Sequence, residues 1–260
     1  MNVDVLVIGG GTAGCAAARS ARKRGLSVAL VESTRLGGEC LWWTCLPTKA
    51  LVVAADVYQT VRDGVAFGVD TDGYHLNYDT VRARKDALVA EFAQRTDADA
   101  LNREGITVLH GRAAFNEPHE VVVREDTVHA EHIVLAVGAH PSMPPIPGLD
   151  TIKPLTYMRA MSLTKVPTTL AIIGGGAVGC EFAQLFRRFG AEVNLIECGP
   201  RLLPGEDVAS SDAAKKLLTT EGITVTTAAT VTQAAMDNGQ RVITMEHQGA
   251  TVRIRADEVL

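Results

Sequence analysis

The chain's 260 residues are 47% hydrophobic and 21% charged, enough apolar material to bury a sizeable core in one large or two ordinary domains. A net charge of −5, with no basic cluster interleaved with aromatics, excludes the electrostatic footprint of nucleic-acid binding and argues equally against a membrane surface as partner. Five cysteines (Cys15, Cys40, Cys45, Cys180 and Cys198) are too few for a secreted disulfide scaffold, so a close pair among them points to catalysis or metal binding.

The first predicted element is an apolar strand over residues 3–8. It begins almost at Met1 and leaves no room for the basic region, apolar stretch and cleavage site of a secretory leader. No apolar run approaches the roughly 18 residues of a transmembrane helix, so the cytoplasm is the expected location. From this strand the chain enters a glycine turn, a helix with small residues on one face, and a second strand ending in an acid: "VDVLVIGGGTAGCAAARSARKRGLSVALVES" (residues 3–33). The same pattern returns without a gap as "TTLAIIGGGAVGCEFAQLFRRFGAEVNLIEC" (residues 168–198), at a constant offset of 165. Gly9, Gly11, Gly14, Gly25 and Glu32 match Gly174, Gly176, Gly179, Gly190 and Glu197.

A lone GxGxxG is weak evidence. Here each occurrence follows a strand, opens a helix and is answered 18 residues after its last glycine by a glutamate at a strand end. In such a turn the first glycine permits the tight bend, the second lets backbone N–H groups approach a pyrophosphate, and the third allows helix and strand to pack closely. The anion sits at the positive helix N-terminus, and the carboxylate accepts ribose hydroxyls. Two dinucleotide sites are therefore expected. A flavin dinucleotide in one and a nicotinamide dinucleotide in the other would let hydride pass between them.

Between the two copies lies "GGECLWWTCLPTK" (residues 37–49), with Cys40 and Cys45 five positions apart. On a regular helix their Cα atoms would stand roughly 8–9 Å apart, beyond the usual disulfide limit of about 6.8 Å. The segment must loop or distort if the pair is to close. So small a ring gives modest chain-entropy stabilisation, which makes a structural staple a poor explanation. A structural zinc site needs four ligands, and His75 and His110 are isolated. A redox pair, a metal ligand pair and inert thiols stay open on the residues alone. Downstream, residues 79–104 read as mostly helix with a polar face and residues 106–135 as short strands, with His119, His129 and His132 facing solvent. Cys15 and Cys180, at matching places after each glycine turn, fill helix–sheet contacts; Cys198 has no evident role.

Taken together these stretches resemble the FAD-dependent pyridine nucleotide–disulfide oxidoreductases, the group of dihydrolipoamide dehydrogenase, glutathione reductase and mercuric reductase, in which C-x4-C is followed by Pro-Ser/Thr-Lys. The resemblance covers the whole chain: the first glycine turn with Glu32, the cysteine pair, "LHGRAAF" (109–115), "LAVGA" (135–139), the proline-rich "PSMPPIPGL" (141–149) and the second glycine turn. It implies an α/β fold of two Rossmann-like, three-layer ββα dinucleotide-binding domains, an FAD-binding domain over residues 1–149 and an NAD(P)-binding domain over residues 150–260. FAD would contact Gly9, Gly11, Thr12, Ala13, Gly14, Glu32, Gly38, Lys49, Gly111, Ala113, Ala136 and Gly138. NAD(H), favoured over NADP(H) because Glu197 would repel a 2′-phosphate, would contact Gly174, Gly176, Ala177, Val178, Gly179 and Glu197. Cys45 would face the flavin and Cys40 would attack the substrate, a small disulfide, lipoamide or a metal ion. Lys49 would be a buried cation near the flavin, paired with Glu181.

Two positions depart from the family pattern. The family commonly has asparagine two residues after the first cysteine and glycine just before the second, where this chain has Trp42 and Thr44. Threonine lacks glycine's backbone freedom, and Trp42 with Trp43 makes the loop bulkier, either packing on neighbouring helices or narrowing a substrate mouth. At the other end, "RIRADEVL" (253–260) matches the start of "VHAEHIVLAVGA" (128–139) and stops in mid-strand. By resemblance a family member would continue with a returning FAD segment and a dimerisation domain carrying a His-Pro motif. His140 and Pro141, in the interdomain crossing, cannot substitute. The expectation is a fragment or truncated product of a homodimeric reductase. A nucleotide-binding module without turnover is the competing expectation, and a transhydrogenase-like flavoprotein that uses no disulfide is a third. The acceptor is not named by the sequence: Glu197 leans toward a lipoamide-type member, and G-E-C-L-W toward mercuric-reductase-like sequences.

Overall fold

The structure is a computed structural model that describes residues 1–69 and 73–260. The chain forms two compact units, one from Met1–Ala50 and Ala83–Pro141, the other from Leu51–Arg82 and Ser142–Leu260.

The first unit contains β1 (Asn2–Ile8), α1 (Thr12–Lys23), β2 (Val28–Glu32), α2 (Gly38–Trp42) and the start of α3 (Cys45–Asp63). After the rest of α3, a 3-10 turn (Gly64–Phe67) and the start of α4 (Tyr78–Ala93), it resumes through α5 (Ala98–Arg103), β3 (Ile106–His110), β4 (Ala113–Glu117), β5 (Glu120–Val123) and β6 (Asp126–Leu135). Its six strands are ordered β3-β2-β1-β6-β5-β4. The first four are parallel, and β5 and β4 add an antiparallel edge. Every residue of β2 is buried, as are Val5, Leu6, Val7 and Ile8 of β1, the continuous apolar signature of a parallel sheet covered on both faces. On one face Cys15, Ala18 and Ala21 of α1 pack against Val5, Val7, Val28 and Leu30. Small residues are needed there because α1 lies against the sheet.

The second unit repeats the plan with α6 (Tyr157–Ala160), β7 (Thr169–Ile173), α7 (Ala177–Arg188), β8 (Glu192–Ile196), α8 (Val208–Thr220), β9 (Thr224–Thr226), β10 (Ala229–Asp237), β11 (Gln240–His247), β12 (Ala250–Ala256) and β13 (Glu258–Val259). Its parallel sheet has the order β13-β7-β8-β9, and β10, β11 and β12 form a separate antiparallel sheet. Phe182, Leu185, Phe186 and Phe189 of α7 pack on Leu170, Ile172 and Leu195, together with Leu51 and Ala55 of α3.

The predicted α/β, Rossmann-like architecture is thus the observed one. The 79–104 helical reading resolves into α4 and α5, and residues 106–135 into β3 to β6. His119, His129 and His132 are exposed as expected, although His119 stands in the β4–β5 turn with Nδ1 2.9 Å from the Ala130 carbonyl oxygen. Among the described residues one helical stretch, Gly38–Phe67, contains an 18-residue window with a mean hydropathy of 1.2 and so passes by length and composition alone as able to cross a membrane; it is broken between α2 and α3 and interrupted by Lys49 and Asp56, so no uninterrupted apolar run of that length occurs.

Candidate functional site: two glycine turns and a cysteine pair

Parallel strands put their carboxyl ends on one edge, and that edge collects residues that are far apart in sequence. In the first unit Gly9 follows β1, Glu32 ends β2, Gly111 follows β3 and Ala136 follows β6. Gly9 (φ 106°) donates its N–H to the Val31 carbonyl at 2.8 Å. A Cβ on Gly9 would lie 2.2 Å from the Ala136 oxygen, and one on Gly14 would lie 1.8 Å from the Gly9 oxygen, so both must be glycine for helix and strand to approach this closely. Gly11 caps α1 without a side-chain hydrogen bond, and no acid lies in the first turn, where Thr12 and Ala13 are exposed. Glu32 is 8% exposed. Its Oε2 accepts from Gly10 N–H at 2.8 Å, and its Oε1 accepts from the Thr34 N–H and hydroxyl at 2.7 and 2.9 Å. Gly111 N–H donates to the Glu32 backbone oxygen at 2.9 Å. Ala113 opens β4 opposite Val123, and Gly138 (φ 72°) lies in the loop beyond β6.

The second unit builds the same edge. Gly174 (φ 114°) donates to the Ile196 oxygen at 2.8 Å, and a Cβ on Gly179 would lie 1.9 Å from the Gly174 oxygen. Gly176 caps α7 without a side-chain bond; Ala177 opens the helix and Val178 is exposed. Glu197 accepts from Gly175 and Gly199 N–H groups, both at 2.6 Å, with Cys198 Sγ 3.4 Å away. Burial raises its pKa, but these hydrogen bonds outweigh burial and hold the carboxylate below its ordinary value.

The cysteine pair is docked on the first turn. Gly37 N–H donates to the Gly10 oxygen at 2.7 Å, and Gly11 and Gly37 form a parallel bridge. A Cβ on Gly38 would come within 2.7 Å of Gly11 Cα. From there α2 carries Cys40 and ends at Trp42, and α3 starts afresh at Cys45. Pro47 explains the restart: it has no N–H for the Trp43 carbonyl and its ring would clash there, so a helix can begin just before it but not run through it. Trp43 and Thr44 N–H groups both turn back to the Glu39 oxygen, at 2.7 and 2.8 Å. The break brings the two Cα atoms to 4.6 Å, and Cys40 and Cys45 form a disulfide. This is the distortion that helix geometry required. Cys45 is exposed and Cys40 half-buried.

Thr44 is not among the residues with positive φ, so the threonine carries no left-handed strain. Trp42 donates its indole N–H to the Leu36 oxygen at 2.8 Å, beneath the Arg35 guanidinium 5.0 Å from its ring; it packs on its own loop, and Trp43 is half-buried. Lys49 lies on the outer face of α3 with Val53, Asp56 and Val57, at i, i+4, i+7 and i+8. Lys49 belongs to the first unit and Glu181, half-buried on α7, to the second. Cys15 and Cys180 donate to the Gly10 and Gly175 oxygens at 3.2 and 3.5 Å, and burial pushes both thiols up, away from reactivity.

Motif reading missed an arginine–carboxylate tie in each unit. Arg19 forks onto Glu104, at 2.7 and 2.9 Å, and Arg188 onto Glu221, at 2.9 and 2.6 Å. The signal was available: "EGITV" occurs at both 104–108 and 221–225.

Comparison with known proteins gives one consistent answer. The family profile described as "Pyridine nucleotide-disulphide oxidoreductase" matches residues 3–260. Similar proteins include a dihydrolipoyl dehydrogenase of Bacillus subtilis, 34% identical over 99% of this chain and 57% of that protein. A mercuric reductase of Staphylococcus aureus is 30% identical over 99% of this chain and 47% of its own length. Among solved structures, the HOCl-induced flavoprotein disulfide reductase RclA from Escherichia coli, in its Cu(II) complex, superposes with a TM-score of 0.83 at 28% identity, covering 99% of this chain and 55% of that one. The chain spans about half the length of the relatives it matches.

Proposed function

The chain belongs to the pyridine nucleotide–disulphide oxidoreductase family, whose members are FAD-dependent; from that premise we propose that it serves a reductase that uses NAD(H) and FAD to reduce the Cys40–Cys45 disulfide, whose thiols then reduce a small acceptor. The observation that carries this is the disulfide closed across the α2–α3 break and docked by Gly37 and Gly38 on a dinucleotide-type turn.

The residues fit the cofactors. In neither glycine turn does a side chain cap the helix by a hydrogen bond or an acid lie in the first turn, so each suits a pyrophosphate. An ionised carboxylate offers about four lone-pair sites. Glu32 and Glu197 each have three polar donors about them, which leaves room for a ribose hydroxyl. Glu197, whose hydrogen bonds hold its pKa below the ordinary carboxylate value against the effect of burial, would repel a 2′-phosphate, which supports NAD(H) over NADP(H). When bound, FAD would convert a hydride donor into reducing equivalents for the disulfide; the remaining tasks fall to the chain. By resemblance Lys49 supplies a cation beside the cofactor. Cys40 as thiolate attacks the acceptor sulfur to form a mixed disulfide, and Cys45 then attacks Cys40, releasing the reduced acceptor and restoring the internal disulfide. For a disulfide acceptor, two chain thiols are oxidised as two product thiols form. The greater exposure of Cys45 does not dictate this order, which rests on the resemblance. Relatives named dihydrolipoyl dehydrogenase and mercuric reductase make lipoamide and mercuric ion the leading acceptors, ahead of glutathione disulfide. We place the full-length form in the cytoplasm as a homodimer.

Thiol counting tests the proposal. With FAD and excess NADH under anaerobic conditions, the denatured chain should titrate two more thiols than without NADH, and Cys40→Ser should show no NADH-dependent gain. An unchanged count in the native sequence would refute the proposal.

A further inference from the structure

A hydroxyl stands beside the second cysteine where the spacing of the pair requires none. Thr44 occupies the position at which the resemblance expects glycine, and α3 starts at the next residue. A threonine in that capping place ordinarily accepts from the N–H of the second or third helical residue. The third is Pro47, which has no N–H to give. The Thr44 hydroxyl oxygen lies 3.6 Å from Cys45 Sγ, hydrogen-bonding distance for an atom as large as sulfur. Because Cys45 is disulfide-bonded and carries no S–H, the hydroxyl is the donor.

A sulfur gains most from such a bond as a thiolate, since hydrogen bonds to charged acceptors are the stronger ones. We infer that Thr44 is a catalytic residue of thiol–disulfide exchange: by donating to Cys45 Sγ it makes Cys45 the sulfur that leaves and Cys40 the sulfur that incoming thiols attack. The inference rests on the reading of the pair as the redox centre, and it gives the assignment of roles a basis in this chain's own residues. In the step, an external thiolate forms a bond to Cys40 Sγ, the Cys40–Cys45 bond breaks, and its electron pair stays on Cys45 Sγ under the Thr44 hydroxyl. A second external thiolate then attacks the external sulfur, freeing Cys40 and forming the external disulfide. Exposure works the other way, because Cys45 is exposed and Cys40 half-buried. A half-buried sulfur is still open to attack, however, and the thiol of lower pKa leaves faster. The positive end of α3 acts in the same direction as the hydroxyl. Lys49, one turn along α3, and Glu39, beside Cys40 on α2, are the nearest charged residues in sequence, and substitution of Thr44 leaves both in place.

The test adds glutathione to the oxidised chain, quenches with an alkylating agent and cleaves with chymotrypsin within residues 41–43, which separates Cys40 from Cys45. The native chain should carry glutathione mainly on Cys40, a readout that needs no variant. Thr44→Val keeps the shape and removes the hydroxyl. Its ratio of Cys40 to Cys45 adduct should fall about three- to tenfold, the range one hydrogen bond allows. The glutathione exchange equilibrium, in mildly alkaline buffer, should move by a similar factor toward the protein disulfide. Thr44→Ser, which keeps the hydroxyl, should follow the native chain in both. Adduct mainly on Cys45 of the native chain, a Thr44→Val chain that matches the native one, or a Thr44→Ser chain that matches Thr44→Val overturns the inference while leaving the redox-centre reading intact. A native disulfide that does not exchange with glutathione at all would defeat that reading and the inference with it.

Discussion

The two glycine turns are near copies, and what surrounds them is not. Both put an acid on the middle glycine N–H, both need a glycine where the helix touches the strand, and both tie the helix to a carboxylate before the third strand. In the first unit the 37–38 segment lies over Gly11 and carries the disulfide. In the second, α7 ends in Arg188, which joins Glu221 to Asp56 of α3. One folded motif has thus acquired different attachments in its two copies.

The comparison can be broken most severely at the cysteines. Cys40→Ser or Cys45→Ser should abolish NADH-dependent reduction of a disulfide acceptor while leaving FAD retention intact; surviving acceptor reduction would favour a transhydrogenase-like flavoprotein. Next come the twin glycines. Because an added methyl would meet backbone oxygen at 1.8 and 1.9 Å, Gly14→Ala and Gly179→Ala should each cost about 1–3 kcal/mol in denaturant unfolding. Their binding defects should separate, FAD for the first and NADH for the second. Glu197→Ala should narrow the preference for NADH over NADPH about tenfold in kcat/KM, with the matching Glu32→Ala leaving that ratio alone. The smallest effect is on pH. Hydrogen bonds from Arg19 hold Glu104 below the ordinary 4.5; for Glu221 burial opposes the shift, but Arg188 and Gln184 prevail. A carboxylate whose folded pKa is depressed stabilises the fold above its unfolded value and loses that contribution as pH falls through the folded one. Melting temperature should therefore decline as pH drops below about 4.5, less steeply in Arg19→Ala, where that linkage is gone.

Much of this was legible in the sequence because glycine and acid spacing encodes backbone geometry directly. Gly9, Gly14 and Glu32 could be placed without coordinates, as could the need for the 40–45 segment to break. Which face α3 turns outward with Lys49 was not legible, because motif spacing along one helix does not say which face meets a partner. The Asp56–Arg188 pair was invisible for a related reason: the two residues are 132 apart in sequence, and only packing brings them together. The "EGITV" repeat was visible, but its arginines occupy different turns in the two copies, so alignment alone could not pair them with their carboxylates.

The most direct test of the central claim is a visible absorption spectrum of the FAD-reconstituted chain, taken before and after anaerobic NADH. The account predicts a bound flavin band that gains long-wavelength absorption from a thiolate beside the flavin, absent in Cys45→Ser. A chain that takes up no FAD, or whose flavin bleaches with NADH without that absorption, would contradict it.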